Sequence, residues 1–208
     1  MALLKTHKQQ PSETLPTFES CEEAIAYFEE SGDNFDHQSY AAEQIATYKE
    51  GCTYLVKRLI DDPHITKEMA VNIASILAKI ERKKAPIEAV MELLKARNAY
   101  IRNLGISILQ DYGDAIKYYI VKFLIGDDRD LRIFAINVLG DVNFAESREM
   151  LLELLEHEKD INVAMTAVDY MAEIGEEEDI PLLESLKERF DDSYAHFAID
   201  GAIRSIKG

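Results

Sequence analysis

Three carboxylates lie close together at the start of the stretch DDRDLRIFAINVLGDV, at Asp127, Asp128 and Asp130. Carboxylates at this spacing could share a divalent metal ion or a proton, which would make the stretch a catalytic loop. Acids placed just before a helix have a second role, because they accept hydrogen bonds from its free N–H groups and complement its dipole. The apolar residues that follow at helical spacing favour this second, structural role.

The histidines and cysteines give little support to a metal site or a nucleophile. No two histidines form an HxxxH or HExxH motif, and His157, in the one His-Glu dipeptide, is expected at the surface near a helix C-terminus. Cys21 and Cys52 form no CxxC motif, so we predict buried packing thiols, with a reactive role as the alternative. Nucleophile elbows, P-loops and GxGxxG motifs are absent too. We therefore predict no catalytic residue, no metal and no cofactor.

Charge and composition limit the remaining classes of function. The 208 residues are 47% hydrophobic, which suffices for a substantial core. The formal net charge of −16 makes nucleic acid a poor partner unless basic residues gather on one face. No apolar run approaches the roughly 20 residues that a membrane helix needs, and the one at residues 2–4 is too short for a signal peptide. We therefore expect a cytoplasmic protein without membrane contacts.

An internal repeat organises most of the chain. Leu139 has Ala135 four residues before it and Val142 three residues after it, and this pattern recurs five times. The marker residues are Ile45, Leu77, Leu109, Leu139, Met171 and Ile203, separated by 32, 32, 30, 32 and 32 residues. Each unit has room for two amphipathic helices, which bury their apolar stripes only by packing together and stacking on neighbouring units. We predict a flexible lead-in at 1–17 and a single solenoid domain at 18–208.

Glycine and proline mark the boundaries of the predicted helices. Gly51, Gly113 and Gly175 are predicted at the ends of second helices, where a left-handed residue can close the C-terminus. Pro86 and Pro181 are predicted near the starts of first helices, where a missing N–H costs little. Long period-2 alternation and Asn-Gly hairpin pairs are missing from the sequence. The predicted class is all-α.

The opening stretch also resembles a known family. It is similar to the second helix of a HEAT repeat of the short bacterial kind also found in phycobilisome-lyase-like proteins: an acidic turn, an aliphatic residue followed by Arg132, a small residue, and Leu-Gly near the end. The preceding unit carries Arg102 at the same place, and the other units match by period alone. The resemblance implies a right-handed α-solenoid of about six two-helix HEAT-like repeats. It also implies a structural polar ladder in which Asp128 or Asp130 pairs with Arg102 and Arg132.

The second helices of such an array line a concave surface, where a partner would bind. The polar residues predicted to face it are Asn103, Ser107, Gln110, Asn137, Asp141, Asp169, Glu173 and Arg204. This row becomes more acidic towards the later units, which suits a protein or peptide with a basic patch. The acidic run at 175–179 is predicted to be a solvated turn, with an acidic docking edge as the alternative.

Three functions follow from these features. The preferred one is a non-catalytic scaffold, adaptor or assembly factor that binds a protein partner in the groove. The resemblance also allows an accessory subunit or enzyme of the bilin-lyase or cofactor-maturation type. A DNA-binding HEAT array is the third, and it fits less well because the polar residues of the groove are mostly neutral or acidic and the chain has no Trp. The last helix is rather apolar for the end of an array, so a homodimer through a terminal repeat is a further hypothesis.

Overall fold

The structure, a computed structural model, describes residues 15–142 and 145–208, without the side chain of Asp141. Residues 1–14 of the predicted lead-in lie outside the described residues. Just after them, the Tyr40 hydroxyl donates to the carbonyl oxygen of Pro16 at 2.7 Å, and the ring of Phe18 packs against Tyr27 and Tyr40. The chain therefore already contacts the first unit of the array at residues 16–18.

Twelve α-helices form six consecutive pairs in the described part of the chain, which contains no β-strand. The first helices of the pairs are α1 (Cys21–Glu30), α3 (Lys49–Asp61), α5 (Ile87–Met91), α7 (Lys117–Leu124), α9 (Ser147–His157) and α11 (Ile180–Arg189). The second helices are α2 (Phe35–Ile45), α4 (Lys67–Ala78), α6 (Ala99–Tyr112), α8 (Arg129–Asp141), α10 (Ile161–Ile174) and α12 (Ser193–Lys207). Short 3-10 turns lie at Arg82–Lys84, Glu92–Lys95, Gly113–Ile116 and Glu177–Asp179.

The six second helices stack in one continuous row. Each contacts the next, from α2 on α4 to α10 on α12. All six marker residues, from Ile45 to Ile203, lie on these helices and are buried in the core. The predicted all-α solenoid of six two-helix repeats is confirmed. None of the described helices is both long and apolar enough to cross a membrane.

Every second helix begins at a side-chain cap. In each case a side-chain oxygen of the residue before the helix accepts a hydrogen bond from a backbone N–H of the first turn. The caps are Asn34, Thr66, Asn98, Asp128, Asp160 and Asp192. Their spacing equals that of the buried markers, so the cap and the core stripe repeat together. Each such cap stabilises its helix by about 1 kcal/mol.

The boundary predictions are partly right. Gly113 ends α6 with a φ of 56°, and Pro86 and Pro181 lie at the starts of α5 and α11. Gly175 follows α10 as predicted, but its backbone is extended rather than left-handed. The prediction for Gly51 is wrong, because this residue lies in the first turn of α3. A Cβ there would lie 2.0 Å from a carbonyl oxygen at the end of α2, so the glycine permits close approach of the two helices.

Candidate functional site

The predicted groove residues lie on four consecutive second helices, α6, α8, α10 and α12. The exposed ones are Asn103, Ser107, Asp169, Glu173 and Arg204, and the half-buried ones are Gln110 and Asn137. The side chain of Asp141 lies outside the described part of the structure. The array thus brings together side chains that are up to about a hundred residues apart in sequence.

Exposed acidic side chains lie on two of these second helices, α6 and α10. Asp111 near the end of α6, and Asp169 and Glu173 one turn apart on α10, are all exposed. Partial burial of the carboxyl raises the pKa of Asp169 above its ordinary value. A cation placed against this carboxylate would offset that cost, because an opposite charge favours the ionised form. The row can therefore attract a basic group through charge.

Gln110 has a structural role on the same row. Its side-chain Nε2 donates to the backbone carbonyl oxygen of Asn137 at 3.0 Å. Because Gln110 belongs to α6 and Asn137 to α8, this hydrogen bond joins two neighbouring second helices. The part of the row around Gln110 is therefore held in place by the stacking of the units.

The predicted ladder between Asp128 or Asp130 and the two arginines is not formed in that way. Asp128 caps α8 by accepting from the backbone N–H groups of Asp130 and Leu131. The carboxylate of Asp130 instead accepts from the side chain of Arg129, its neighbour in sequence. Both acids are thus engaged at the start of their own helix, which leaves the arginines to find other partners.

Arg102 and Arg132 occupy equivalent places and share half of their contacts. Each donates through Nη1 to the two backbone carbonyl oxygens five and six residues before it, in the turn that precedes its own helix. Arg132 also pairs with Glu158, two residues before the cap of α10. Gly126 stands at the corresponding place before the cap of α8, so it offers Arg102 no carboxylate. The Arg102 guanidinium lies over the ring of Phe134 instead, 5.0 Å from its centroid.

The acidic run at 175–179 is more than the solvated turn predicted from the sequence. Asp179 is buried and accepts from Nε and Nη2 of Arg148 at 2.8 and 2.7 Å. Its carboxylate also accepts from the backbone N–H of Glu176, and Glu178 accepts from Arg148 at 2.7 Å. These bonds to the carboxylates raise the pKa of Arg148. The run connects α9 to the sixth unit, a role that the sequence does not reveal because the arginine lies about thirty residues away.

Neither cysteine shows the features of a reactive thiol. Cys21 and Cys52 are both buried, and burial raises the pKa of both thiols. Cys21 is the first residue of α1, and Cys52 lies one turn inside α3. No cluster of three or more His, Cys, Asp or Glu residues suited to a metal occurs among the described residues. His157 is exposed at the C-terminal end of α9, where the helix dipole favours a cation.

An apolar stripe on the outer helix α7 was not predicted. Tyr118, Val121 and Ile125 follow one face of this helix and its end, and all three are exposed. Two open grooves of about 460 and 450 Å³ flank α7, and both reach Gly126 and Asp127. The periodicity used to predict the helices identifies only the stripe that each helix buries. A second stripe on the same helix could have been found by searching for apolar residues left over at i, i+3 and i+7.

Comparison with known proteins agrees with the repeat architecture. The family model described as HEAT repeats matches residues 119–200, which confirms the resemblance over that part of the chain. No curated protein matches the chain. Among solved structures, an engineered protein is 18% identical with a TM-score of 0.43, covering 90% of this chain and 96% of that one.

Two further solved structures are similar at comparable levels. Computationally designed armadillo repeat proteins for modular peptide recognition are 16% identical with a TM-score of 0.39, over 89% of this chain and 99% of theirs. The complex of CpcE and CpcF of phycocyanin lyase from Nostoc sp. PCC7120 is 16% identical with a TM-score of 0.34, over 97% of this chain and 99% of that one.

Proposed function

We propose that this chain, whose residues 119–200 are HEAT repeats, is a non-catalytic scaffold or adaptor that binds a basic segment of a protein partner in its groove. The observation that carries the proposal is the row of exposed acids on the stacked second helices, at Asp111, Asp169 and Glu173. Because each second helix packs on the next, these carboxylates are held at fixed separations along the array. A rigid row of like charges suits an extended segment with regularly spaced cations.

Charge complementarity makes two properties of such binding predictable. The formal net charge of −16 steers a basic segment towards the array, so association is fast at low ionic strength. Binding then weakens as salt screens the exposed charges over distances of about 10 Å at 0.1 M. Partial burial of Asp169 increases its contribution to binding, because a cation bound there also offsets the cost of keeping that carboxylate ionised.

The experiment uses a fluorescent peptide of eight lysine and arginine residues as the probe, followed by anisotropy at low and high salt. The variant Asp169→Asn with Glu173→Gln removes two charges from the row. The matched control, Glu149→Gln with Glu153→Gln, removes two exposed charges from the outer helix α9 of the same unit. We expect the first variant to bind about fivefold more weakly and the control to change little, since exposed charge pairs each contribute about 0.2–1 kcal/mol.

The same pair of variants tests the groove with natural partners. Proteins recovered with the wild-type chain and the control, but lost with the groove variant, would be partners of the proposed surface. An equal loss of these proteins with both variants would show a general effect of net charge and would overturn the groove as their binding site. A loss on Tyr118→Ser with Ile125→Ser, but not on the groove variant, would assign the scaffold's partner to α7.

Two other functions have their own outcomes in these assays. An accessory subunit or enzyme of the bilin-lyase type would bind a tetrapyrrole, seen as a shift of the bilin's visible absorption on titration with the protein. A DNA-binding array would bind a short fluorescent duplex with a strong dependence on salt. Either result, with no binding of the basic peptide, would replace the proposed function.

A further inference from the structure

The last second helix leaves an aromatic residue open at the end of the array. Phe197 on α12 occupies the place that Met165 has on α10, one repeat of 32 residues earlier. Met165 is 1% exposed, whereas Phe197 is 71% exposed. Tyr194, one turn before Phe197 on the same face, is exposed too. On α10 this place is covered by the following unit. On α12 the same place is exposed.

The rest of that side of α12 is polar, as the end of a solenoid requires. Four residues that are apolar or glycine on α10 have polar counterparts on α12. These residues are Ile161, Val168 and Ala172 on α10 and Gly175 just after it, and their counterparts are Ser193, Asp200, Arg204 and Lys207. The prediction that the last helix is too apolar for a cap therefore holds only for Tyr194 and Phe197. Two exposed aromatic residues within a polar end face are typical of a surface that binds another molecule.

One turn from Phe197, Gly201 has room for a side chain. The nearest atom to a Cβ built there is Nη2 of Arg204, at 3.9 Å. The array itself fills such a space at Gly140 on α8, where a Cβ would lie only 1.7 Å from a ring carbon of Tyr170 on α10. Glycine on one second helix and an aromatic ring on the next are thus a packing mode that this chain already uses.

The charges at the two ends of α12 are complementary to each other. Asp191 and Asp192 precede the helix, and Arg204 and Lys207 lie in its last turns, all of them exposed. Two copies of α12 placed antiparallel would bring the acidic start of each against the basic end of the other. Their helix dipoles would also be antiparallel, which is the favourable arrangement. These complementary ends favour pairing of two copies in a chain with a net charge of −16, and Asp200, near the middle of the helix, is paired with Lys187 of its own copy.

We propose that α12 pairs antiparallel with α12 of a second copy, forming a two-fold homodimer in which Phe197 of each copy packs over Gly201 of the other. A two-fold interface must be self-complementary, and a ring and a space one turn apart on one helix meet that condition. With the axis near Ile199, Tyr194 of each copy lies opposite Arg204 of the other, so that the guanidinium can rest on the aromatic face. The proposal does not depend on the groove as a binding site.

The test measures self-association by sedimentation velocity over a range of protein concentrations. Phe197→Glu removes the ring, and Gly201→Leu fills the space, where a Cβ meets only Nη2 of Arg204, at an ordinary contact distance of 3.9 Å. Tyr118→Glu is the matched control, since it replaces another exposed aromatic residue, on α7. We expect Phe197→Glu to weaken the dimer at least about 30-fold, Gly201→Leu at least about tenfold, and the control to leave it unchanged.

Gly201→Leu separates this geometry from simple hydrophobic association. It adds apolar surface next to Phe197, so non-specific association would become stronger, whereas the proposed dimer becomes weaker. Thermal unfolding of each variant verifies that the helix is intact, and Gly201→Leu should unfold at the same or a higher temperature. A wild-type chain that stays monomeric at the highest concentration attained overturns the proposal, as does a dimer that survives both α12 variants.

Discussion

Arg132 and Glu158 form a two-point ion pair across the boundary between the fourth and fifth units. Nε of Arg132 donates to one carboxylate oxygen at 2.8 Å, and Nη2 donates to the other at 3.2 Å. Only 15% of the arginine side chain and 7% of the glutamate side chain are exposed. The same carboxylate accepts from the backbone N–H groups of Lys159 and Asp160. A single buried charge therefore links α8 to the start of α10.

We expect Arg132→Ala to lower the free energy of unfolding by about 3 kcal/mol. The substitution leaves the buried carboxylate of Glu158 without its cation, and breaking such a pair costs far more than losing an exposed one. Urea denaturation of the two proteins measures the difference.

Arg102→Ala is the matched control for this prediction. It removes the same pair of bonds to backbone carbonyls and a cation–π contact with Phe134, but no ion pair with any residue that the structure describes. We expect it to cost about 1–2 kcal/mol. Equal losses for the two variants would show that the carbonyl contacts, and not the bond to Glu158, stabilise the boundary between the units.

The two arginines also show how far the sequence predicts this fold. The spacing of Leu139 and its five counterparts locates all six second helices, because each unit must bury the same stripe in the same core. The ladder could not be predicted in the same way. Whether an arginine finds an acid depends on one residue in the next turn, which is Glu158 for Arg132 and Gly126 for Arg102.

The candidate site could likewise be predicted only in part. Periodicity identifies which residues of the second helices, such as Asp169, point away from the buried stripe. It does not identify pairs between distant units, such as Arg148 with Asp179, because the sequence gives no measure of how adjacent turns approach each other. It also gives no sign that Gln110 donates to the backbone of the next helix.

Alanine at Gly140 should destabilise the array, while alanine at Gly201 should stabilise it. A Cβ at Gly140 would lie 1.7 Å from the ring of Tyr170, so the ring must move, which costs about 1–3 kcal/mol. At Gly201 a Cβ would make only an ordinary contact with the end of the Arg204 side chain, and alanine improves helix propensity by about 1 kcal/mol. Chemical denaturation of both variants measures the two effects. A loss of stability for the Gly201 variant would contradict the room assigned to Gly201, and no loss for the Gly140 variant would contradict its close packing against Tyr170.

Two aspartates should give stability effects of opposite sign at neutral pH. The hydrogen bond from Lys187 lowers the pKa of Asp200, so the ionised group stabilises the fold above the ordinary aspartate pKa of about 3.9. That contribution disappears as pH falls through the lowered pKa. Partial burial raises the pKa of Asp169, so its ionised form opposes folding, and this cost grows as pH rises through the raised pKa.

The measurement compares Asp200→Asn and Asp169→Asn with the wild-type protein by denaturation at several pH values. Asp200→Asn should be less stable than wild type at pH 7 and equal to it near pH 2. Asp169→Asn should be at least as stable as wild type at pH 7, with its advantage vanishing in acid. A loss of stability for Asp169→Asn at pH 7 would mean that its carboxylate has a stabilising partner.

The two thiols should be unreactive until the first units open. Cys21 and Cys52 are buried, and burial raises the pKa of both, so the native protein holds little exposed thiolate. We expect a disulfide reagent to label them at least about 100-fold more slowly in the native protein than in denaturant, because labelling requires local unfolding. A Ser107→Cys variant, exposed on α6, supplies the control rate. Native labelling of either natural thiol at that control rate would show that the thiol is accessible, and would make it a candidate for modification.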